Sequence, residues 1–259
     1  MRPVSRLGQY RNSIRGVLTD IDDTLTTAGK LTATAYSALW QLKQAGLRLV
    51  VVTGRPAGWC DAFARQWPID GIVGENGAFA FYEEDGHLRE LLHPDVADEA
   101  TSRAKLQRVR DAVLAEVPGS RVAKDQPYRR FDLAIDFREE APDLGYAAGD
   151  AIRRIFVRHG AQAKISSIHV NGWFGNYDKL ATTKLLAQRL WGEALDETRA
   201  AYVFAGDSPN DAPMFAFFPH ACAMANIAPF VDELDVLPTY VTEAAGGLGF
   251  AQLTRALVG

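Results

Sequence analysis

Only two cysteines occur in 259 residues, Cys60 and Cys222, far apart and without metal-ligand spacing. Their scarcity excludes a disulfide-stapled secreted fold and a cysteine zinc site, and fits two reduced thiols in a cytoplasmic protein. An excess of basic charge is also missing. The 28 Lys and Arg against 32 Asp and Glu leave a net charge of −4, and the pI is near 5.8. Nucleic-acid binders usually carry the opposite balance, so no nucleic-acid partner is expected. The basic residues of "SRAKLQRVRD" (102–111) fit the solvated side of a helix whose apolar stripe is Leu106, Val109, Val113 and Val117. No apolar stretch is long enough to cross a bilayer, and "MRPVSRLGQYRNSIRG" lacks the apolar core of a signal peptide, so no membrane partner is expected. Repeats and low-complexity linkers are absent as well. The length permits one large α/β domain or a core with a smaller companion, either with enough core to need no staples.

What is present is an alternation of buried runs and helical periods. "IRGVLTD" reads as a buried strand stopping at Asp20; helix spacing follows in Ala35, Ala38, Leu39, Leu42 and Ala45, ended by Gly46. "LRLVVVT" (47–53) is a second strand of the kind covered on both faces, and Pro56 suits the first turn of a helix reaching about Trp67. This order predicts a Rossmann-like parallel sheet with right-handed crossovers. The middle differs: a hairpin turning near Asp85-Gly86, a helix at about 97–116, the strand "RFDLAIDF" (130–137), a helix at about 143–159, and "AKISSIHVN" as one strand. The expectation is therefore an α/β core formed by 1–83 and 172–259, with an α+β unit inserted at 84–171. A helix from about Lys179 to Trp191, the strand "AAYVFAGD", a short helix, "ACAMA", "TYVT" and a helix over 248–258 complete the core. Gly247-x-Gly249 is a helix lead-in rather than a dinucleotide fingerprint.

Four features fall at or beside the carboxyl ends of parallel strands, where open sheets bind ligands. They are Asp20 and Asp22, Thr53-Gly54-Arg55, Lys179 at the start of a helix, and "GDSPND" (206–211). Each alone has a bland reading as cap, strand exit, surface lysine or polar loop. Together they read as phosphoryl transfer. Asp20 would attack phosphorus, while Asp22, two residues on in an extended chain, would protonate the leaving oxygen and later deprotonate water. Two carboxylates and a phosphate need a counterion. Mg²⁺ suits hard oxygen ligands, with Asp207 as second carboxylate and Asp211 helping through water or orientation. Thr53 and the Gly54 amide would hold phosphate oxygens, and Lys179 would offset their charge. Asp178 caps the helix and places Lys179 in its first turn; Lys184, on another face, reads as solvated.

"DIDDT", "VVTGR", the Lys179 station and "GDSPND" resemble the four motifs of haloacid dehalogenase (HAD) superfamily phosphatases, in the family's order from 20 to 211. "GENGA" (74–78) resembles the segment leading into the large cap of subfamily IIB, and "GDSPNDAPMF" is especially like its sugar-phosphate phosphatases. The resemblance implies a HAD fold with an inserted cap and a Mg²⁺-dependent phosphatase acting on a small phosphorylated metabolite, with a sugar phosphate as the expected class. It implies Asp20 as nucleophile, Asp22 as acid/base, and Thr53 and Lys179 as phosphate ligands. The implied metal ligands are Asp20, Asp207 and the Asp22 backbone carbonyl, with Asn210 and Asp211 as the supporting pair. One departure is Asp23, where the family has glycine. Substrate choice is expected from the cap and its margin: Arg129, Arg130, His169, Asn171 and Trp173, with Gly54, Arg55 and Asn210 on the core side. Trp173 would stack on a sugar face or pack at the hinge. A phosphomutase, a response-regulator receiver (disfavoured by length) and a non-catalytic binding scaffold remain the alternatives, and the chain is expected to be a monomer or homodimer.

Overall fold

The continuous apolar runs become the middle of a large sheet, because strands covered on both faces need apolar side chains at every position. The computed structural model describes residues 1–166 and 168–259. In chain order the strands and helices are β1 (Arg2–Pro3), β2 (Gly16–Thr19), the small hairpin β3 (Thr26–Thr27) and β4 (Lys30–Leu31), α1 (Ala33–Gln44), β5 (Arg48–Val52), α2 (Ala57–Gln66) and β6 (Gly71–Gly74). Next come β7 (Phe79–Glu84), β8 (His87–Leu92), α3 (Glu99–Glu116), β9 (Arg121–Val122), β10 (Asp132–Asp136), α4 (Gly145–Arg158), β11 (Gln162–Ile165) and β12 (His169–Trp173). The chain closes with α5 (Lys179–Trp191), α6 (Leu195–Thr198), β13 (Tyr202–Gly206), α7 (Ala212–Phe217), β14 (His220–Ala223), β15 (Tyr240–Val241) and α8 (Gly246–Val258).

The large sheet has nine strands in the order β1-β15-β14-β13-β2-β5-β6-β7-β8. All neighbours from β1 to β6 pair parallel, and β7 and β8 add an antiparallel edge. Two apolar clusters flank it. One gathers Leu39, Leu42, Val51, Ile72 and Phe250; the other gathers Val50, Val73, Leu186, Phe204 and Phe215. The structure is thus the α/β, parallel-dominated fold that the alternation predicts.

A separate four-stranded antiparallel sheet, β11-β12-β10-β9, stands beside the large one. Its two faces differ. Leu133, Ile135 and Val170 pack under Leu106, Val109 and Val113 of α3 and Ile152, Ile155 and Phe156 of α4. On that face Gly172 is required, because a Cβ there would lie 2.1 Å from the Phe156 ring. The period of two puts Asp132, His169, Asn171 and Lys164 on the other face, with Lys164 directly opposite Asn171. Buried positions on α3 are Leu106, Val109 and Val113 of the predicted stripe and also Ser102, with Val117 partly buried against the same cluster, and its arginines and lysines lie outside.

Three boundaries differ from expectation. β8, beyond residue 84, pairs with β7 and so extends the large sheet. Gly172 and Trp173, placed by sequence in the core, pair in β12 of the small sheet. "AKISSIHVN" is not one strand but two, β11 and β12, antiparallel to each other; residue 167 of that stretch lies outside the described residues. Between the two strands the Ser166 hydroxyl accepts the His169 N–H and donates to the His169 carbonyl, which also accepts the Ser166 N–H. Apolar composition alone could not reveal that hydroxyl's use.

Candidate active site

Parallel pairing carries β2 toward β5 and β6 on one side and toward β13, β14 and β15 on the other. The crevice between β2 and β13 is therefore the switch point where an open α/β sheet accepts a ligand. Asp20 leaves β2 there, its N–H still donating to the Ala205 carbonyl at 2.9 Å, and Asp207 leaves β13 beside it. Asp211 ends a 3₁₀ turn over 209–211, and Asp178 caps α5 by accepting the Ala181 N–H at 2.7 Å, which sets Lys179 in the first turn.

Lys179 joins these pieces. Its ammonium donates to Asp20 Oδ1 at 2.8 Å and to Asp211 Oδ1 at 2.9 Å. Asp211 Oδ2 accepts the Asp207 N–H at 3.2 Å, and Asp207 accepts from Thr24 Oγ1 at 3.2 Å and Asn226 Nδ2 at 3.1 Å. Asp20 Oδ2 has no partner among the described residues and belongs to a side chain lining the cleft. Burial raises the Asp20 carboxyl to about 7, against the pull of Lys179 and with added repulsion from Asp211 and Asp22. Burial, then Asp20, Asp211 and Asp23, pushes Asp207 well above the usual carboxylate range. Burial works against the Lys179 charge, but Asp20 and Asp211 outweigh it and raise its pKa. Two of the three buried carboxylates, Asp20 and Asp211, share one ammonium, and one oxygen from each of Asp20, Asp207 and Asp211 lies within 4.8 Å of the others. Such a donor set, all hard oxygen and short of positive charge, fits a small divalent cation.

A second network lies on the other side of the cleft. Arg55 donates to both oxygens of Asp22, at 2.8 and 2.7 Å, and its Nη1 lies 3.6 Å from Asp125. Arg129, fully buried, holds Asp125 with Nε and Nη2 at 3.0 and 2.8 Å and Asp132 with Nη1 at 2.9 Å, and also donates to the Gly54 carbonyl. Asn76 and Asn171 both donate to Asp132 Oδ2. Glu75, fully buried, accepts the N–H groups of Ala57, Arg130, Phe131 and Asp132. That one carboxylate ties the start of α2 to the start of β10. The chain bends sharply to place it, with φ of 42° at Glu75, 57° at Asn76 and 108° at Gly77. Gly77 has no substitute, since a Cβ there would lie 2.1 Å from the Asp178 carbonyl.

Among the residues singled out by sequence, Asp20, Asp22, Gly54, Arg55, Arg129, His169, Asn171, Asp207 and Asn210 line one cleft. Thr53 lies just beneath, buried, with its hydroxyl accepting the Arg55 N–H at 3.1 Å. Asp22 stands apart from the carboxylate group of Asp20, Asp207 and Asp211, on Arg55. Arg130 is not brought to the cleft: its guanidinium turns outward to Glu90 and Glu99, because adjacent residues entering a strand face opposite ways. Trp173 is buried and its indole donates to the Tyr177 carbonyl at 3.2 Å, so it packs rather than stacks on a ligand. His169 meets Glu139 at 2.8 Å, and Lys184 pairs with Asp196 on the surface. Asp23 takes φ 55°, a left-handed backbone conformation that glycine adopts without steric cost.

Several residues of the site carry no distinctive sequence signal. Asp125, Asp132 and Asn226 belong to no motif, and only the fold brings them to the cleft. Asn226 clamps Asp207 and the Asp23 carbonyl with its amide nitrogen while accepting the Gly246 N–H, which links the metal-ligand candidate to α8. Gly247 and Gly249 pack α8 closely, as a helix lead-in would. Glu75 was visible inside "GENGA", but its role depends on N–H groups some 55 residues downstream.

The model of a family of haloacid dehalogenase-like hydrolases matches residues 17–127. A phosphoglycolate phosphatase of Methanothermobacter thermautotrophicus is 28% identical over 254 residues, which is 95% of this chain and 100% of the relative. Among solved structures, that of Thermoplasma acidophilum 0175 superposes with a TM-score of 0.71 at 19% identity, covering 94% of this chain and 98% of that one. The sucrose-phosphatase of Synechocystis, solved with sucrose and phosphate, gives 0.65 at 14% identity, covering 94% and 98%. At such identities these two structures share the fold.

Proposed function

We propose that the chain is a phosphatase of the haloacid dehalogenase superfamily, subfamily IIB, a reading supported by the matching family model and the phosphoglycolate phosphatase relative, and that it hydrolyses a small phosphate ester through a covalent phosphoryl-Asp20. The observation that carries this reading is the state of Asp20. One oxygen is tied to Lys179, the other is open to the cleft, and Asp207 and Asp211 stand beside it at the sheet's switch point.

Asp20 Oδ2 attacks phosphorus, and the ester oxygen departs with a proton supplied by Asp22. Asp22 then takes a proton from water, whose oxygen attacks the acyl-phosphate and releases inorganic phosphate, restoring the Asp20 carboxylate. Arg55 grips Asp22 with two parallel hydrogen bonds and holds it over the cleft. The Thr53 hydroxyl proton and the Gly54 amide serve phosphate oxygens, and Lys179 offsets their charge. A Mg²⁺ ion held by Asp20, Asp207 and Asp211, and by the Asp22 carbonyl, would supply the missing positive charge and polarise phosphoryl oxygens. In this reading the unit at about 84–171 is a cap whose polar face roofs the cleft and selects the leaving group.

The cleft that Asp20 and Asp22 line with Arg55, His169 and Asn171 has a volume of about 40 Å³, room for roughly three waters. That supports a compact ester, in line with the relative named for phosphoglycolate. A sugar phosphate is the second reading, favoured by an adjoining cavity of about 490 Å³ between α4, β11 and the segment around Phe230. A panel of phosphate esters at saturating Mg²⁺ tests both, and the preferred ester identifies the class. Phosphate release should stop with EDTA and return with Mg²⁺. Asp20→Asn should lose at least about 10³-fold in kcat; full activity in that variant would overturn the mechanism.

A further inference from the structure

We propose that Lys164 is the specificity residue of the cleft and reads a second anionic group, a carboxylate, on the leaving-group side of the substrate. This rests on the phosphatase reading and names its substrate class. Four cations line or floor the cleft, and three of them are already spent. Lys179 is shared between Asp20 and Asp211. Arg55 gives Nε and Nη2 to Asp22. Arg129 gives its guanidinium to Asp125, Asp132 and the Gly54 carbonyl. For any of the three, binding a substrate carboxylate would break a buried or half-buried ion pair and leave an acid uncompensated. Lys164 has neither ion pair nor hydrogen bond from its ammonium among the described residues, and it is exposed at the cleft mouth.

Its place in the small sheet is set by register. Lys164 pairs opposite Asn171, which pairs in turn opposite Ala134 on β10. The three side chains share the face turned toward Asp20, while Ile165 and Val170 point into the apolar cluster beneath α4. Lys164 also lines the cavity of about 490 Å³ and another of about 360 Å³. It therefore stands where a leaving group would emerge from the phosphoryl site. Asp22 and Asp20 are met by Arg55 and Lys179, and Asp207 pairs with no cation among the described residues, so these groups leave no positive charge to spare for a second anionic group. An ester carrying a carboxylate would be repelled there without a cation of its own, whereas an uncharged ester would need none. The Lys164 ammonium meets that need by a charge-assisted hydrogen bond.

Two esters of similar size separate the possibilities: 2-phosphoglycolate, with a carboxylate, and ethyl phosphate, without. Selectivity is read as the ratio of kcat/KM values and, independently, as the ratio of dissociation constants for the Asp20→Asn protein by calorimetry. The protein should prefer the acid ester, and Lys164→Met should shrink that preference about 10- to 100-fold. Lys164→Arg should restore most of it. Equal losses on both esters, or no preference for the acid in the unsubstituted protein, would overturn the assignment. If Mg²⁺ elicits no turnover of any ester while Lys164→Met still removes the binding preference, the phosphatase reading falls and the carboxylate site stands.

Discussion

Two buried charge clusters flank the same cleft, and they differ in how their negative charge is met. Around Arg129, the oxygens of Asp125 and Asp132 have guanidinium or amide donors, and Glu75 is surrounded by backbone N–H groups. Around Lys179, Asp20 and Asp211 share one ammonium, Asp207 beside them pairs with no cation among the described residues, and Asp20 keeps an oxygen open. A carboxylate cluster completed by protein donors holds elements in place. One left short of donors and cations is shaped for a ligand that brings charge. Here the completed cluster fastens the small sheet to the large one, and the incomplete cluster faces the cleft between them.

The largest effect should come from breaking the completed cluster. Arg129→Met would leave Asp125 and Asp132 buried without their partner, a loss of about 3–5 kcal/mol, readable as a lower denaturant midpoint. Its neighbour is the control: Arg130 pairs with Glu90 and Glu99 at the half-exposed surface, and Arg130→Met should cost at most about 1 kcal/mol. Equal costs would show that burial does not separate the two arginines.

Glu75 sharpens the same contrast through pH. Burial, reinforced by Asp132, raises its carboxyl from 4.5 to about 7, against the pull of Arg129 and the backbone N–H groups of Phe131 and Arg130. The native state then binds the proton more tightly than the unfolded chain. Its contribution to stability should grow as pH falls from about 7 to about 4.5 and stay level below. The difference in unfolding free energy between the parent protein and Glu75→Gln should shift across that window by up to about 3 kcal/mol. The parent should gain at the acid end. The opposite slope would mean that Glu75 stays ionised in its ring of N–H donors.

The incomplete cluster should respond in reverse. Without divalent cation, Asp207→Asn removes one of three mutually repelling carboxylates and should raise stability by about 1 kcal/mol. Added Mg²⁺ should raise Tm in the parent protein and much less in the variant, since only a native-state ligand site stabilises by mass action. A variant that is less stable and equally responsive to Mg²⁺ would place the cation elsewhere.

Much of this was legible in the chain itself, for identifiable reasons. Strand-end carboxylates and the lysine after Asp178 are local features, and parallel sheets bring strand ends together. So Asp20, Asp207, Asp211 and Lys179 could be grouped without coordinates. The apolar stripe of α3 and the burial of β2 and β5 were equally local. What escaped depends on pairing at a distance. The split of "AKISSIHVN" turns on the pairing of β11 with β12, and the sorting of Arg129 from Arg130 on which residue β10 faces inward. Lys164 gains meaning only from the register that sets it opposite Asn171. Asp125 and Asp132 carry no local signal, because only the fold sets Arg129 between them.

Asp23 gives the smallest expected effect and the finest test. Its φ of 55° is a conformation that costs most side chains about 1 kcal/mol and glycine almost nothing. Its N–H donates to Thr26 Oγ1 and its carbonyl accepts from Asn226, both backbone contacts that survive a change of side chain. Asp23→Gly keeps both contacts and relieves the left-handed backbone, so it should leave stability within about 1 kcal/mol of the parent and kcat within a few-fold. Asp23 also adds to the repulsion on Asp207, so the variant should need somewhat more Mg²⁺ for half-maximal activity. Asp22→Asn, one residue away, should instead lose about 10²-fold or more in kcat, as expected when a general acid–base is removed. Similar losses in the two variants would show that the carboxylates of "DIDDT" act as one pool of charge. Divergent losses would show that the turn between them divides a catalytic acid from one that tunes the cluster's charge.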